Sequence, residues 1–333
     1  MKAVILLAGL GTRMRPHTWS KPKPLVPVAG KTVLGHILDS LSALEISEYV
    51  FVVGYLGDQI QKFMAERYPQ IRARFVEQKE AKGQSQAIQL AREFITEPTL
   101  IIFGDTIWET DFSRLKRVTS DGLIYVKAVD DPRRFGIAFL KDGYAVKLVE
   151  KPENPESNLA IVGVYFFRDH TRLLAAIDRQ IAQNVKTKDE FFLADAVQIM
   201  LDGGAKLEVE TISVWEDCGT PSALLQTNRY LLNRHGGHVK EFPGSVILPP
   251  VYISDSARVI NSIIGPNVSI SDDTLVENSI IRESIIGEGS YIENRVLDGS
   301  IVGNHALVRG ASQRLNVGDS SEIDTGANGK DAS

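Results

Sequence analysis

Apolar positions fall into two textures along this chain. Through about residue 235, short β-branched runs alternate with amphipathic stretches. Residues 3–7, 49–53, 74–76 and 99–103 read as buried strands. Between them, residues 33–44, 58–67 and 84–94 carry apolar side chains three and four apart, as helices do. This alternation predicts a βαβαβ arrangement, a largely parallel sheet with helices on both faces. Later strands at 123–129, 137–140, 145–148, 162–167 and 207–212 mix with helices near 172–183 and 193–201. A closing helix is expected from Pro221 to about Leu232, with Thr220 as N-cap and Pro221 at the first helical position.

From about Ser245 the period changes. Ile264, Ile270, Val276, Ile281, Ile286, Ile292, Leu297, Val302 and Val308 fall five or six residues apart, and Gly, Asn, Ser and Asp fill the gaps. An imperfect hexapeptide repeat of this kind predicts a parallel β-helix, in which each flat face points one aliphatic side chain inward. At about 18 residues per coil, the segment holds three or four coils. Residues 313–333, rich in Gly, Ser and Asp, are expected to be disordered.

Bulk composition narrows the function. Among 333 residues, 43% hydrophobic and 24% charged is ordinary globular usage, and no apolar run is long enough to span a bilayer. The apolar start after Lys2 runs into Gly and Arg instead of a small-residue cleavage site, so a first strand is expected and not a signal peptide. One cysteine, Cys218, excludes an intramolecular disulfide and a cysteine metal cluster, and the cytoplasm is the expected compartment. Net charge is −5, yet Lys2, Arg13, Arg15, Lys21, Lys23 and Lys31 all precede the first acidic residue, Asp39. With only Trp19 as an aromatic in that stretch and an acidic total, a small phosphorylated ligand fits better than nucleic acid.

The candidate chemistry concentrates in Leu7-Ala8-Gly9-Leu10-Gly11-Thr12-Arg13-Met14-Arg15-Pro16 and in Pro22-Lys23-Pro24-Leu25-Val26-Pro27-Val28. A strand ends there in a glycine-bearing turn whose N–H groups can wrap phosphate oxygens. Arg13 adds a bidentate guanidinium. Prolines at 16, 22, 24 and 27 stiffen the loop that holds Lys23. It is not a P-loop, because the lysine after Gly11 is missing. Nor is it a dinucleotide fingerprint, because Met14 stands in the third glycine's place. Asp105 and Asp217 each follow an apolar run, at the sheet edge where such folds bind ligands.

These stretches resemble the signature of sugar-phosphate nucleotidyltransferases (NDP-sugar pyrophosphorylases), GxGTRxxPxT followed by PKPLxPV. The likeness is strongest to the longer glucose-1-phosphate thymidylyltransferases and covers nearly all of residues 1–310. It implies an α/β, Rossmann-like nucleotidyltransferase domain with a mostly parallel mixed sheet over 1–240, then a short left-handed β-helix over 241–312. It also implies transfer of a nucleotide from a triphosphate to a sugar 1-phosphate, with release of pyrophosphate. By resemblance Leu7, Ala8, Gly9, Gly11, Thr12 and Arg13 hold the triphosphate, and Lys23 neutralises the α-phosphate and the departing pyrophosphate. Gln78 and Gly83 read the base, for which dTTP or UTP is expected. Gly136, Glu150, Lys151, Val162 and Tyr165 hold the sugar phosphate, with glucose 1-phosphate expected. Asp105 and Asp217 share one Mg2+, for which hard carboxylate oxygens are suited. A homo-oligomer is implied, with neither nucleic acid nor membrane as partner.

GDP-mannose and ADP-glucose synthesis share the loop and stay open as alternatives. A silent sugar-nucleotide-binding homologue would show a broken signature, and none is seen. A hexapeptide-repeat acyltransferase needs a longer helix and a catalytic histidine on it, whereas the repeats contain only His305. Every signature residue lies at or before Asp217, so the sequence leaves the repeats dispensable for chemistry.

Overall fold

The computed structural model describes residues 1–235 and 240–311. The expected disorder of residues 313–333 lies outside the described residues. Among the described residues, no helix is long and apolar enough to cross a membrane.

The first region is a nine-stranded mixed sheet between helical layers. Its first half is parallel: Ala73–Glu77, Glu48–Val53, Lys2–Leu7 and Thr99–Phe103 lie side by side in that order. These strands are the nearly continuous apolar runs expected of a sheet covered on both faces. Beyond them the pairing turns mixed. Leu159–Phe167 runs antiparallel to Thr99–Phe103 and to Gly122–Ala128, and the sheet continues through Leu207–Thr211, Tyr144–Glu150 and Gly136–Lys141. Helices Val33–Leu41, Gly57–Arg67, Gln84–Leu90, His170–Ala182, Leu193–Asp202 and Pro221–His235 cover its faces. Two buried clusters result, one on each side of the sheet, around Ile5, Phe51 and Leu100 and around Val4, Ile101 and Phe167.

Local expectations meet the structure closely. The Thr220 hydroxyl caps Pro221–His235 by accepting from Ala223 N–H at 3.3 Å. The amphipathic stretch after Gly83 stays α-helical only to Leu90, then tightens to a 3₁₀ turn at Arg92–Phe94. Two small pairings were not foreseen. One is the hairpin of Pro27–Val28 with Lys31–Thr32. The other joins Thr106–Glu109 to Val214–Asp217.

From Val246 the chain winds into a left-handed parallel β-helix of three four-stranded sheets. Register partners lie 17 residues apart and then 16, as in Val246↔Ile263↔Ile280↔Val296, slightly short of the expected 18. Ile264, Ile270, Val276, Ile281, Ile286 and Ile292 are all buried in its core. Leu297, Val302 and Val308 are only partly buried, because no described coil stacks beyond them. Asn261, Asn278 and Asn294 adopt φ of 46°, 48° and 54° at successive corners, where asparagine tolerates the left-handed conformation better than other side chains.

Candidate active site

The strand Lys2–Leu7 ends at the carboxyl edge of the sheet, and the chain must turn away within a few residues. Gly11 does so at φ 61°, and its carbonyl accepts from the Thr18 hydroxyl at 2.7 Å. The 3₁₀ turn Thr12–Met14 follows, with Met14 fully buried while Thr12 and Arg13 stay exposed. The residue that breaks the dinucleotide fingerprint is therefore a core side chain that pins the loop. Lys23 opens a second 3₁₀ turn between prolines and is 9% exposed.

Lys23 Nζ lies 2.9 Å from Asp105 Oδ2. Asp105 comes directly after Gly104, where a Cβ would sit 2.1 Å from Leu7 Cδ2, so glycine allows two strand ends to close on each other. The Asp105 side chain is 40% exposed to the cleft. Partial burial opposes its ionisation, but the charges of Lys23 and Arg13 outweigh that and hold its carboxyl below the ordinary value.

Asp217 reaches the same place through the unforeseen pairing. Thr106 is its register partner, and Cys218 N–H donates to Asp105 O at 3.0 Å. The Asp217 carboxylate accepts from Gly219 N–H at 2.7 Å and lies 4.0 Å from Arg134 Nη2. Arg13 Nη2 and the Asp217 carboxylate both crowd the place a Gly219 Cβ would take, at 3.3 and 2.6 Å. Two aspartates more than a hundred residues apart in sequence are thus brought onto adjoining backbone, with Lys23 against Asp105 and Arg134 near Asp217. Burial pushes the Cys218 thiol up to about 12, so it packs and does not react.

A cleft of about 420 Å³ collects Leu7, Ala8, Gly9, Gly11, Thr12, Arg13, Lys23, Gln78, Gly83 and Asp105 on its walls. Gln78 is nearly buried, and its amide nitrogen donates to Gly83 O at 3.1 Å and to Gln86 Oε1 at 2.5 Å. With the donor spent on protein, what Gln78 offers a ligand is its carbonyl oxygen. Gly83 adopts φ 103°, and a Cβ there would meet Phe191 N and O at 2.6 Å.

The residues expected to hold the sugar phosphate are not among those that line this cleft. Glu150 and Gly136 are register partners, and Glu150 Oε2 fills the space where a Gly136 Cβ would be, 2.7 Å away. Lys151 holds φ 42°, with its ammonium 3.7 Å from Glu150 and 4.0 Å above the Phe192 ring. Left-handed backbone at a lysine is strain of the kind that gathers at binding sites. Burial, only partly offset by Lys151, pushes the Glu150 carboxyl up to about 7, with Asp195 and Glu190 adding repulsion. Val162 and Tyr165 are 1% and 2% exposed, so their side chains belong to the core under the site and not to its wall. The backbone between them is irregular: the pairing slips between Ile161 and Tyr165, and Gly163 sits at φ 79° against the Phe103 ring.

Glu190, Phe103 and Arg134 belong to the neighbourhood and were not foreseen. Glu190 lines the cleft and its charge also reaches Glu150, so it stands between the two groups. Its signal in sequence is only an acidic residue before Phe191-Phe192-Leu193, with no spacing to a partner.

Comparison with known proteins supplies an independent line. The nucleotidyl transferase family profile matches residues 2–234. A glucose-1-phosphate thymidylyltransferase of Streptomyces griseus is 32% identical over 356 aligned residues, covering 96% of this chain and 98% of that protein. The bifunctional protein GlmU of Methanocaldococcus jannaschii is 33% identical over 241 residues, which are 72% of this chain, and the chain spans only 56% of that protein's length. Among solved structures, a putative glucose-1-phosphate thymidylyltransferase from Bacillus anthracis in complex with a sucrose matches at a TM-score of 0.61 and 26% identity. That match covers 72% of this chain and 98% of that one.

Proposed function

The chain belongs to the nucleotidyl transferase family, and from that premise we propose that it joins glucose 1-phosphate to dTTP or UTP, releasing pyrophosphate. The observation that carries this reading is the single cleft in which the 7–13 loop, Lys23 and Asp105 converge, with Asp217 beside it. An oxygen of the sugar phosphate attacks the α-phosphorus in line, and the pyrophosphate leaves. That oxygen is already ionised, so no protein base is required. The loop amides and Arg13 orient the triphosphate, and Lys23 meets charge as it develops on the α-phosphate and leaving group. Asp105 and Asp217 fit one Mg2+, whose need for one or two carboxylates alongside phosphates and water matches this sparse donor set. Among the described residues no group of three or more His, Cys, Asp or Glu could hold a metal by itself. When bound, Mg2+ supplies charge neutralisation on the phosphates.

Base choice rests on Gln78. Its carbonyl accepts from the N3–H that thymine and uracil carry and cytosine lacks, a mismatch worth about 1–3 kcal/mol. Five triphosphates tested against glucose, mannose, galactose and N-acetylglucosamine 1-phosphates should give the highest kcat/KM with dTTP or UTP and glucose 1-phosphate. A preference for GTP with mannose 1-phosphate, or for ATP with glucose 1-phosphate, would overturn the base assignment and leave the reaction class standing.

Glu150 gives a pH signature. We assign it to the sugar hydroxyls, from which it accepts more strongly and through both oxygens when ionised. Because its carboxyl is raised to about 7, KM for the sugar phosphate should fall as pH rises from 6 to 8. The same raised value means that stability is lost as pH rises from about 4.5 to about 7, with the full cost of ionising this buried group present above that, so Glu150→Gln should raise the melting temperature at pH 8. It should also abolish the pH dependence of KM; an unchanged profile in the variant would exclude Glu150 as its source.

A homo-oligomer is supported by one face of the β-helix. Val246, Ile263, Ile280 and Val296 stand in register and are 53%, 37%, 37% and 65% exposed. Aliphatic stripes of this kind mark association surfaces. Light scattering should give a multimer for the native chain and a smaller species for Ile280→Glu; a native monomer would exclude the assembly.

A further inference from the structure

The β-helix packs against the segment that carries Lys23. The turn after Pro27–Val28 places Ala29 at φ 46° and Gly30 at φ 84°, and the Tyr252 ring fills the space of a Gly30 Cβ at 2.5 Å. Ile285, from the second sheet of the β-helix, is buried in the same cluster as Leu25 and Val28. At the centre of this junction is Asn228, on the Pro221–His235 helix and 1% exposed. Its Oδ1 accepts from Ala29 N–H at 3.0 Å and from the Ser269 hydroxyl at 2.6 Å, while its Nδ2 donates to Asn267 O at 3.1 Å. The preceding residue, Thr227, donates to Asp217 O at 3.0 Å.

Adjacent residues of one helix therefore grip three things: the backbone of Asp217, the hairpin after Lys23, and the second coil of the β-helix. Little slack separates Ala29 from Lys23. Pro24 and Pro27 restrict the backbone between them, and Val33 N–H donates to Val26 O at 3.1 Å. A shift at Ala29 reaches the ammonium, and a displacement of about 1 Å at a reacting centre is worth up to about a hundredfold in rate.

We infer that Asn228 is a positioning residue through which the docked β-helix sets the place of Lys23, so that the repeats are a working part of the active site. The inference rests on the transferase reading and on Lys23 acting in it. It goes beyond the expectation from sequence, in which detectable chemistry survives without the repeats.

The test is a double-mutant cycle in the full chain, with pyrophosphate release as readout. Asn228→Ala should lower kcat about tenfold with KM for both substrates near the native value, because Lys23 acts on the transition state and not on ground-state binding. In a Lys23→Ala background the same change should cost no more than about twofold, since coupled residues are not additive. Ser269→Ala, which removes one β-helix donor to Asn228, should act in the same direction at about two- to threefold, and it decides the matter if Asn228→Ala does not fold. Asn228→Asp keeps the acceptor facing Ala29 and should recover part of the loss. A full tenfold loss in the Lys23→Ala background, or Ser269→Ala and Asn228→Ala both at native rates, would overturn the coupling. If Lys23→Ala alone were fully active, Lys23 would leave the chemistry and the coupling would fall with it while the transferase reading stood; no pyrophosphate release by the native chain would sink the transferase reading instead, so the two failures are distinguishable.

Discussion

Lys23→Ala is expected to cut turnover by about a hundredfold or more while the protein stays folded, the equivalent of about 3 kcal/mol of lost transition-state stabilisation. The ammonium is almost buried, lies 2.9 Å from Asp105 and stands on a proline-bounded turn, so alanine removes the charge from a fixed place. The fold should survive because the carboxylate left behind is 40% open to the cleft and keeps water and Arg13 as partners. Asp105→Asn should have a similar effect for a different reason: it keeps the shape but halves the carboxylate pair with Asp217. Circular dichroism and pyrophosphate release on the two variants check both halves of the claim. Folded variants with near-native rates would remove Lys23 and Asp105 from the chemistry.

Gly83→Ala is expected to disable nucleotide binding. Gly83 stands at φ 103°, and its missing Cβ would lie 2.6 Å from the backbone N and O of Phe191. Those atoms cannot drift, because Phe191 N–H donates to Lys82 O and Phe191 O accepts from Ser85 N–H, both at 2.9 Å. An alanine must therefore part the two loops, and Gln78, which donates to Gly83 O, loses the contact that orients its amide. Backbone strain and lost packing together should cost about 2–4 kcal/mol of stability and raise KM for the triphosphate by more than about 30-fold. Thermal melts and triphosphate titration measure the two effects. A variant that melts and binds like the native chain would mean that the two loops do not meet as described.

Much of this was legible in the residues. The parallel strands around Lys2–Leu7 are apolar runs, and the helices between them carry their own period. The nine aliphatic positions of the repeats all point into the β-helix core, six of them fully buried. Such patterns are local: a strand alternates and a coil repeats whatever it packs against. The signature loop was legible for the same reason, since its glycines, Arg13 and Lys23 lie in one short stretch of sequence.

The tertiary structure alone decided which distant surfaces meet. Nothing in the run Val214–Asp217 announces that it pairs with Thr106–Glu109, yet that pairing sets Asp217 beside Asp105. The turn to antiparallel pairing after Thr99–Phe103, the burial of Val162 and Tyr165, and the reach of Glu190 toward both cleft and Glu150 are likewise decisions between elements. Asn228 is the sharpest case. In sequence it is one polar residue on a helix; folded, it is buried with three hydrogen bonds to Ala29, Asn267 and Ser269. A buried amide is tolerable only where donors and acceptors from several segments converge on it. That convergence is a property of packed surfaces, which no local period encodes.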